Sequence, residues 1–145
     1  MSEIGWPTID SKHLTVYSKQ MLTLENEMFS QGMPQEALME KAGIQISRWL
    51  LKRKSLIKDG ITVVIGPGNN GGDGAVIARE LFLKGYLIKV WCPFDLKKTL
   101  TINHVNYLTS IGVSKLQEPP NPDGKDLWID AVFGNNQTRK VDFKL

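Results

Sequence analysis

The sequence predicts an α/β fold built on a parallel sheet, and three observations carry that reading. Ile61–Ile65 is a continuous apolar run, the mark of a strand covered on both faces. Five glycines (66, 68, 71, 72 and 74) fall within the next nine positions, and a helical pattern then runs from Ala75 to Lys84. Two further strand-like runs, Leu87–Cys92 and Leu127–Phe133, flank a second helical stretch over 99–110. Strand–helix–strand–helix–strand at these spacings calls for right-handed crossovers and parallel strands.

Each element has its own signal. Residues 1–13 carry Pro7 without periodicity and read as an extended arm. Ser18 is placed to cap a first helix bearing Met21, Leu24, Met28 and Phe29 on one face, with Gly32 as its stop. A second helix has Pro34 near its first turn. Leu38, Ala42, Ile46, Trp49 and Leu50 then recur at helical spacing as far as Lys54. Met39 and Trp49 read as core. Gly85 ends the helix after the glycine cluster. The stretch over 99–110 carries Ile102, Val105 and Leu108, with Gly112 beyond its end. Glu118–Asp126, with three prolines, reads as a polar loop, and Gly134 ends the last strand. There is no internal repeat or low-complexity tract.

At 145 residues the chain has the size of one domain, and 41% hydrophobic residues suffice for a core. Its net charge of +3 is thinly spread. The densest cluster, Lys52-Arg53-Lys54, reads as a solvated helix end. No basic stripe with interleaved aromatics accompanies it, so nucleic acid is not an expected partner. Cys92 is the only cysteine, which excludes an internal disulfide. No run approaches the ~18 apolar residues of a membrane span. Residues 1–20 lack both a signal core and an Arg-rich transit pattern. No membrane association is expected, and the cytoplasm is the expected compartment.

Ligands of parallel sheets gather at the carboxyl ends of the strands. That marks Gly66–Gly74, Trp91–Asp95 and Asp130–Arg139. Gly66-Pro-Gly-Asn-Asn-Gly71 formally matches G-x-G-x-x-G, a dinucleotide fingerprint that also wants an acid about 20 residues on. Here the second strand ends Val90-Trp91-Cys92-Pro93 and Asp95 comes late. Asp73 would also set a carboxylate close to a pyrophosphate, where like charges repel. A P-loop fits less well, because the Gly-Lys-Ser/Thr ending is absent. What remains is a site whose nearest ligand is not anionic. The oxygens of Asn69, Asn70 and Asp73 are hard donors suited to a cation or to sugar-like hydroxyls. Asp130, inside an apolar run, should be paired, hydrogen-bonded or metal-bound. The plainer alternatives are that Asp130 caps backbone N–H groups of a neighbouring loop and that Asp73 caps a helix. His104, on the stretch over 99–110, and His13, in the arm, read as surface residues.

Three segments at these spacings carry a resemblance: Leu-Met-Glu-Lys-Ala-Gly (38–43), Gly-Pro-Gly-Asn-Asn-Gly-Gly-Asp-Gly (66–74) and Ile-Asp-Ala-Val-Phe-Gly (129–134). Together they resemble the NAD(P)H-hydrate epimerases, the YjeF N-terminal domain family, over about Ser18 to Arg139. The resemblance implies a Rossmann-like three-layer α/β/α sandwich with a mainly parallel sheet behind two N-terminal helices. It implies an isomerase of nicotinamide nucleotide repair that interconverts the R and S epimers of NADHX and NADPHX. An ADP- or ATP-dependent dehydratase is then the functional partner. The family's contacts carry over to Asn69, Asn70, Gly71, Gly72 and Asp73 as substrate contacts, and to Asn70 and Asp130 as potassium ligands. The loop Gly134-Asn135-Asn136-Gln137-Thr138-Arg139-Lys140 is implied to touch substrate, and Arg139 suits a cofactor phosphate. Asn135-Asn136 departs from the second glycine usual there, a turn that asparagine tolerates.

A whole family domain runs on for roughly half as much again. The chain is therefore expected to be incomplete at its C-terminus, lacking later strands with an Asp and a Ser of the site. A sheet without its later strands exposes an apolar edge. Poor solubility as a monomer, or rescue in a homodimer, is the expectation. Epimerisation needs no redox cofactor: the ring nitrogen can expel the hydroxyl and water can re-add on the other face, or the ring can open and reclose. Either route wants a carboxylate that trades protons with water and steadies positive charge, and Asp73 is the candidate. The alternative from another class is a non-catalytic ligand-binding or scaffold module of the same fold.

Overall fold

The computed structural model describes residues 16–134. The chain divides into two compact units, residues 1–33 and 34–145. The described part of the first unit is one helix, α1 (Ser18–Ser30). Tyr17, not Ser18, is its N-cap residue, and the Tyr17 backbone N–H donates to Gln20 Oε1 at 2.8 Å. At the other end Gly32 adopts φ +98°, the left-handed stop that lets the Met33 N–H reach back to the Met28 carbonyl. No residue of α1 is buried. The arm over 1–13 lies outside the described residues.

The second unit opens with α2 (Gln35–Leu51), entered from Pro34, whose fixed φ suits a helix start. α2 stops three residues short of the Lys54 expected from the sequence, and a short α3 (Lys54–Ile57), not expected, follows and drives Ile57 into the core. Then come β1 (Ile61–Ile65), α4 (Asn69–Leu83), β2 (Ile88–Trp91), α5 (Thr99–Ser110), β3 (Ser114–Leu116) and β4 (Leu127–Ala131). The sheet is wholly parallel, in the order β3-β2-β1-β4. The parallel α/β architecture expected from the sequence is thus present. β3 was not expected: Ser-Lys-Leu has no readable alternation, and only its pairing with β2 makes it a strand.

β1 is central and all five of its residues are buried. Its register places Val63 beside Val90 and Ile129, so alternation puts Ile61, Val63, Ile65, Ile88, Val90, Ile129 and Ala131 on one face. That face meets Ala75, Ala78 and Leu81 of α4, Val105 and Leu108 of α5, and Leu50 of α2 in one apolar core. The opposite face carries Thr62, Val64, Lys89, Trp91, Trp128 and Asp130. Burial therefore alternates along β4, and Trp128 is 41% exposed where the sequence read a continuous apolar run. At the amino ends of the strands, the buried Thr62 hydroxyl donates to Asp126, whose carboxylate also lies 3.7 Å from Lys89 Nζ. That pins the start of β4 to β1 and β2. The hydroxyl bond holds the Asp126 carboxyl below the usual range.

Two side chains depart from the placement expected for them, Trp49 from the core and His104 from the surface. Trp49 is half-exposed on α2, with the Arg53 guanidinium 3.8 Å over its ring. His104 is not a surface residue: its side chain is 14% exposed. Met39, in contrast, is buried as expected.

Candidate functional site

The glycine-rich segment is more compact than an open loop. α4 starts at Asn69, with Gly68 as its N-cap residue, so only Gly66 and Pro67 stand between strand and cap. This corrects the helix start at Ala75. Most of these glycines let neighbours touch. A Cβ on Gly66 would collide with the Val132 carbonyl, and one on Gly71 with the carbonyl of Gly66. A Cβ on Gly72 would strike the Met39 thioether, and one on Gly74 would sit 2.5 Å from Ala131 Cβ. α4 therefore lies unusually close to α2 and to the β1–β4 pair. Of these five glycines only Gly68 has open space where a Cβ would be.

Helical spacing then decides what faces out. Residues three and four apart share a helix face, which groups Asn69, Asn70 and Asp73, while Gly71, Gly72 and Gly74 turn toward protein. Asn69 is exposed, and Asn70 and Asp73 are half-buried. The Asn70 Nδ2 donates to the Phe133 carbonyl at 3.2 Å. A Cβ on Gly134 would be 3.5 Å from Asn70 Cβ. The start of α4 and the loop after β4 are thereby one site.

The third strand end joins them. The Lys97 and Lys98 N–H groups donate to the Pro67 carbonyl at 3.1 and 3.3 Å, and the buried Thr101 hydroxyl donates to the Gly68 carbonyl at 2.9 Å. The Phe94 and Phe133 rings lie 5.9 Å apart, tilted by 42°. All three strand ends suspected from the sequence thus meet at the carboxyl edge. Thr101 was missed, and Phe94 and Phe133 lay within the marked strand ends without being singled out. A buried Thr in a first helical turn is a faint signal, and an aromatic pair 39 positions apart leaves none.

Asp130 stands on β4 in register with Val64, and its Oδ1 accepts the Val132 N–H at 2.9 Å. It is hydrogen-bonded, as a carboxylate in that run should be, but it is exposed and its partner is its own turn. Asn135, Asn136, Gln137, Thr138, Arg139 and Lys140 lie outside the described residues. Behind the site, Glu40 of α2 grips Arg79 of α4 through two bonds of 2.6 and 2.5 Å, and Arg79 also meets Glu80 at 2.9 Å. His104 Nδ1 of α5 is 4.0 Å from Glu40 Oε1. Arg79 holds the Glu40 carboxyl below its usual range, and burial holds the His104 imidazole below its own.

Residues 35–144 match the family described as YjeF-related protein N-terminus. The chain belongs to that family. The bifunctional NAD(P)H-hydrate repair enzyme of Synechocystis is 47% identical over 127 residues, covering 87% of this chain and 24% of that protein. An NAD(P)H-hydrate epimerase of Plasmodium knowlesi is 36% identical over 132 residues, covering 87% of this chain and 46% of its own length. The chain thus spans about a quarter to a half of these YjeF-related relatives. A crystal structure of yeast ynu0 (YNL200c) superposes with TM-score 0.77 at 28% identity, covering 90% of this chain and 60% of the yeast chain. Among the described residues no helix is long and apolar enough to cross a membrane.

Proposed function

We propose that this YjeF-related chain carries NAD(P)H-hydrate epimerase chemistry, interconverting the R and S epimers of NADHX and NADPHX. Family membership and the names of its relatives support the reading. The single structural observation behind it is the Asn70 to Phe133 bond, which joins the Asn69–Asp73 face to the Gly134 turn at one sheet edge. Asn69, Asn70, Gly71, Gly72, Asp73 and Gly134 are the described residues we assign to the hydrate. Asp73 is the carboxylate we assign to trade a proton with the departing and re-adding water, while its charge steadies the ring cation between the two steps.

A potassium ion fits the donor chemistry in part. Asn70 spends its Nδ2 on Phe133, which leaves Oδ1 as an acceptor, and Asp130 spends Oδ1 on Val132, which leaves its second oxygen. These are hard oxygens of the kind such cations take. They make two ligands of a larger set. When bound, the ion would supply a fixed positive charge that orients substrate oxygens.

The bifunctional relatives support an ADP- or ATP-dependent dehydratase as the functional partner. The lone Cys92 supports a reducing, cytoplasmic setting. The exposed Trp128 supports a homodimer. The decisive experiment incubates the chain with the R epimer, an S-specific dehydratase and ADP. Consumption of the R epimer above its spontaneous rate is expected, and consumption at that rate would refute the reading. Asp73→Ala should lower the rate about 10²- to 10⁴-fold with the fold retained by circular dichroism.

A further inference from the structure

Beyond the face of Asn69, Asn70 and Asp73, the carboxyl edge holds a concavity. A cavity of about 450 Å³ lies where β2 and β3 end, walled by Pro93, Phe94 and Leu96 and flanked by Asp95 and Lys115. Lys115 stands on β3 in register with Val90, so its ammonium is carried by the sheet and not by a loop. Among the described residues neither Asp95 nor Lys115 takes part in an ion pair. The other sizeable cavity, at the amino ends of the strands, is different: its Asp126 is already held by Thr62 and Lys89.

This carboxyl-edge cavity is linked to the face of Asn70 and Asp73. Phe94 walls it, and its ring packs on Phe133, the residue whose carbonyl Asn70 holds. The chemistry of that cavity suits a nucleoside. The Phe94 ring gives a purine a surface to stack on, the two oxygens of Asp95 can accept from vicinal ribose hydroxyls, and a sheet-borne ammonium matches a phosphate monoester.

We propose that this cavity receives the adenosine end of the substrate, and that Lys115 makes it prefer the 2′-phosphorylated form over the form with a free 2′-hydroxyl. The proposal rests on the epimerase reading above and adds to it a residue that discriminates NADPHX from NADHX. Asp95 opposes the same phosphate, so the pair sets the preference between them: removing Asp95 raises it and removing Lys115 abolishes it. Both side chains are exposed or border solvent, so neither substitution touches the core.

Amide chemical shifts of the isotope-labelled chain test this with three probes: adenosine 2′,5′-bisphosphate, 5′-AMP and nicotinamide mononucleotide. The bisphosphate should move the amides of Phe94, Asp95, Leu96 and Lys115 and bind about tenfold tighter than 5′-AMP, the size of one charge-assisted contact. Lys115→Ala should bring the two affinities together, and Asp95→Asn should widen the gap. Shifts confined to Asn69–Gly74, no shift at Phe94–Leu96, or an unchanged ratio in Lys115→Ala would each overturn the proposal. Nicotinamide mononucleotide reports separately on the reading beneath it. If that probe leaves Asn69–Asp73 and Gly134 unmoved while the bisphosphate fills the cavity, the epimerase assignment of the first site fails and the nucleoside site stands.

Discussion

Gly66 and Gly68 are separated by one proline and do opposite work. A methyl group on Gly66 has nowhere to go, because the Val132 carbonyl is backbone and held in the β1–β4 pairing by the Gly66 N–H to Ala131 carbonyl bond of 3.0 Å. Gly66→Ala should cost about 3 kcal/mol in urea unfolding and shift the whole start of α4. Gly68→Ala should cost about 0.5 kcal/mol or less, since its Cβ meets nothing and its φ of −101° is open to any residue. Equal losses at the two positions would contradict close approach as the reason for the cluster. Asn70 matters in another way. Asn70→Asp keeps the size but exchanges the donor toward the Phe133 carbonyl for a second acceptor. The expected outcome is a loop after β4 that opens, read as faster amide exchange at Phe133 and Gly134, with stability reduced by about 1 kcal/mol.

Elements position these residues through one polar clasp. Glu40, Arg79 and His104 come from α2, α4 and α5, the three helices whose packing sets the height of the glycine segment above the sheet. His104 Nε2 is buried without a hydrogen-bond partner among the described residues. Burial lowers the proton affinity of His104 in the fold below its ordinary value of 6.5, and the Arg79 charge adds to this, against the pull of Glu40. The unfolded chain therefore takes up more protons than the folded one as pH falls through that value. The His104 contribution to stability is complete above it and lost below. Melting temperature should fall between pH 7.5 and 5.5, and His104→Leu should flatten that fall and leave stability at pH 7.5 level or higher. A variant with the wild-type slope would show that His104 is not the group titrating. Glu40 acts in a lower window: its carboxyl sits below its ordinary 4.5, so its contribution holds above that value and is lost under more acid conditions.

For the whole molecule, the question is what the second face of the sheet is for. Among the described residues β4 pairs only with β1, and it carries Trp128 at 41% exposure beside the exposed Asp130. An edge strand with a large exposed aromatic side chain invites association. Sedimentation velocity should find concentration-dependent self-association, and Trp128→Lys should weaken it about tenfold, one desolvated aromatic anchor being worth that or more. A wild-type chain that stays monomeric at every concentration would remove the homodimer from the account. The two relatives compared above are two to four times longer than the stretch matched here.

How much was legible in the sequence follows from the range of each interaction. Ile61–Ile65, the parallel sheet and the juxtaposition of three strand ends could be read locally, because β-branched runs, turn glycines and helical spacing are properties of neighbours in the chain. Asn69, Asn70 and Asp73 could be picked out by chemistry alone. Tertiary structure alone decided the rest. β3 exists only by pairing with β2, and Trp128 is exposed because the β1–β4 register sets it on the sheet face opposite the apolar core. The helix starts six residues early because Gly71, Gly72 and Gly74 let α4 settle onto Gly66, Met39 and Ala131. His104 is largely withdrawn from solvent beside Glu40 of α2 and Arg79 of α4. Each of these is set by a contact between residues distant in sequence, and hydrophobic spacing along one chain carries no record of which distant surface a side chain will meet.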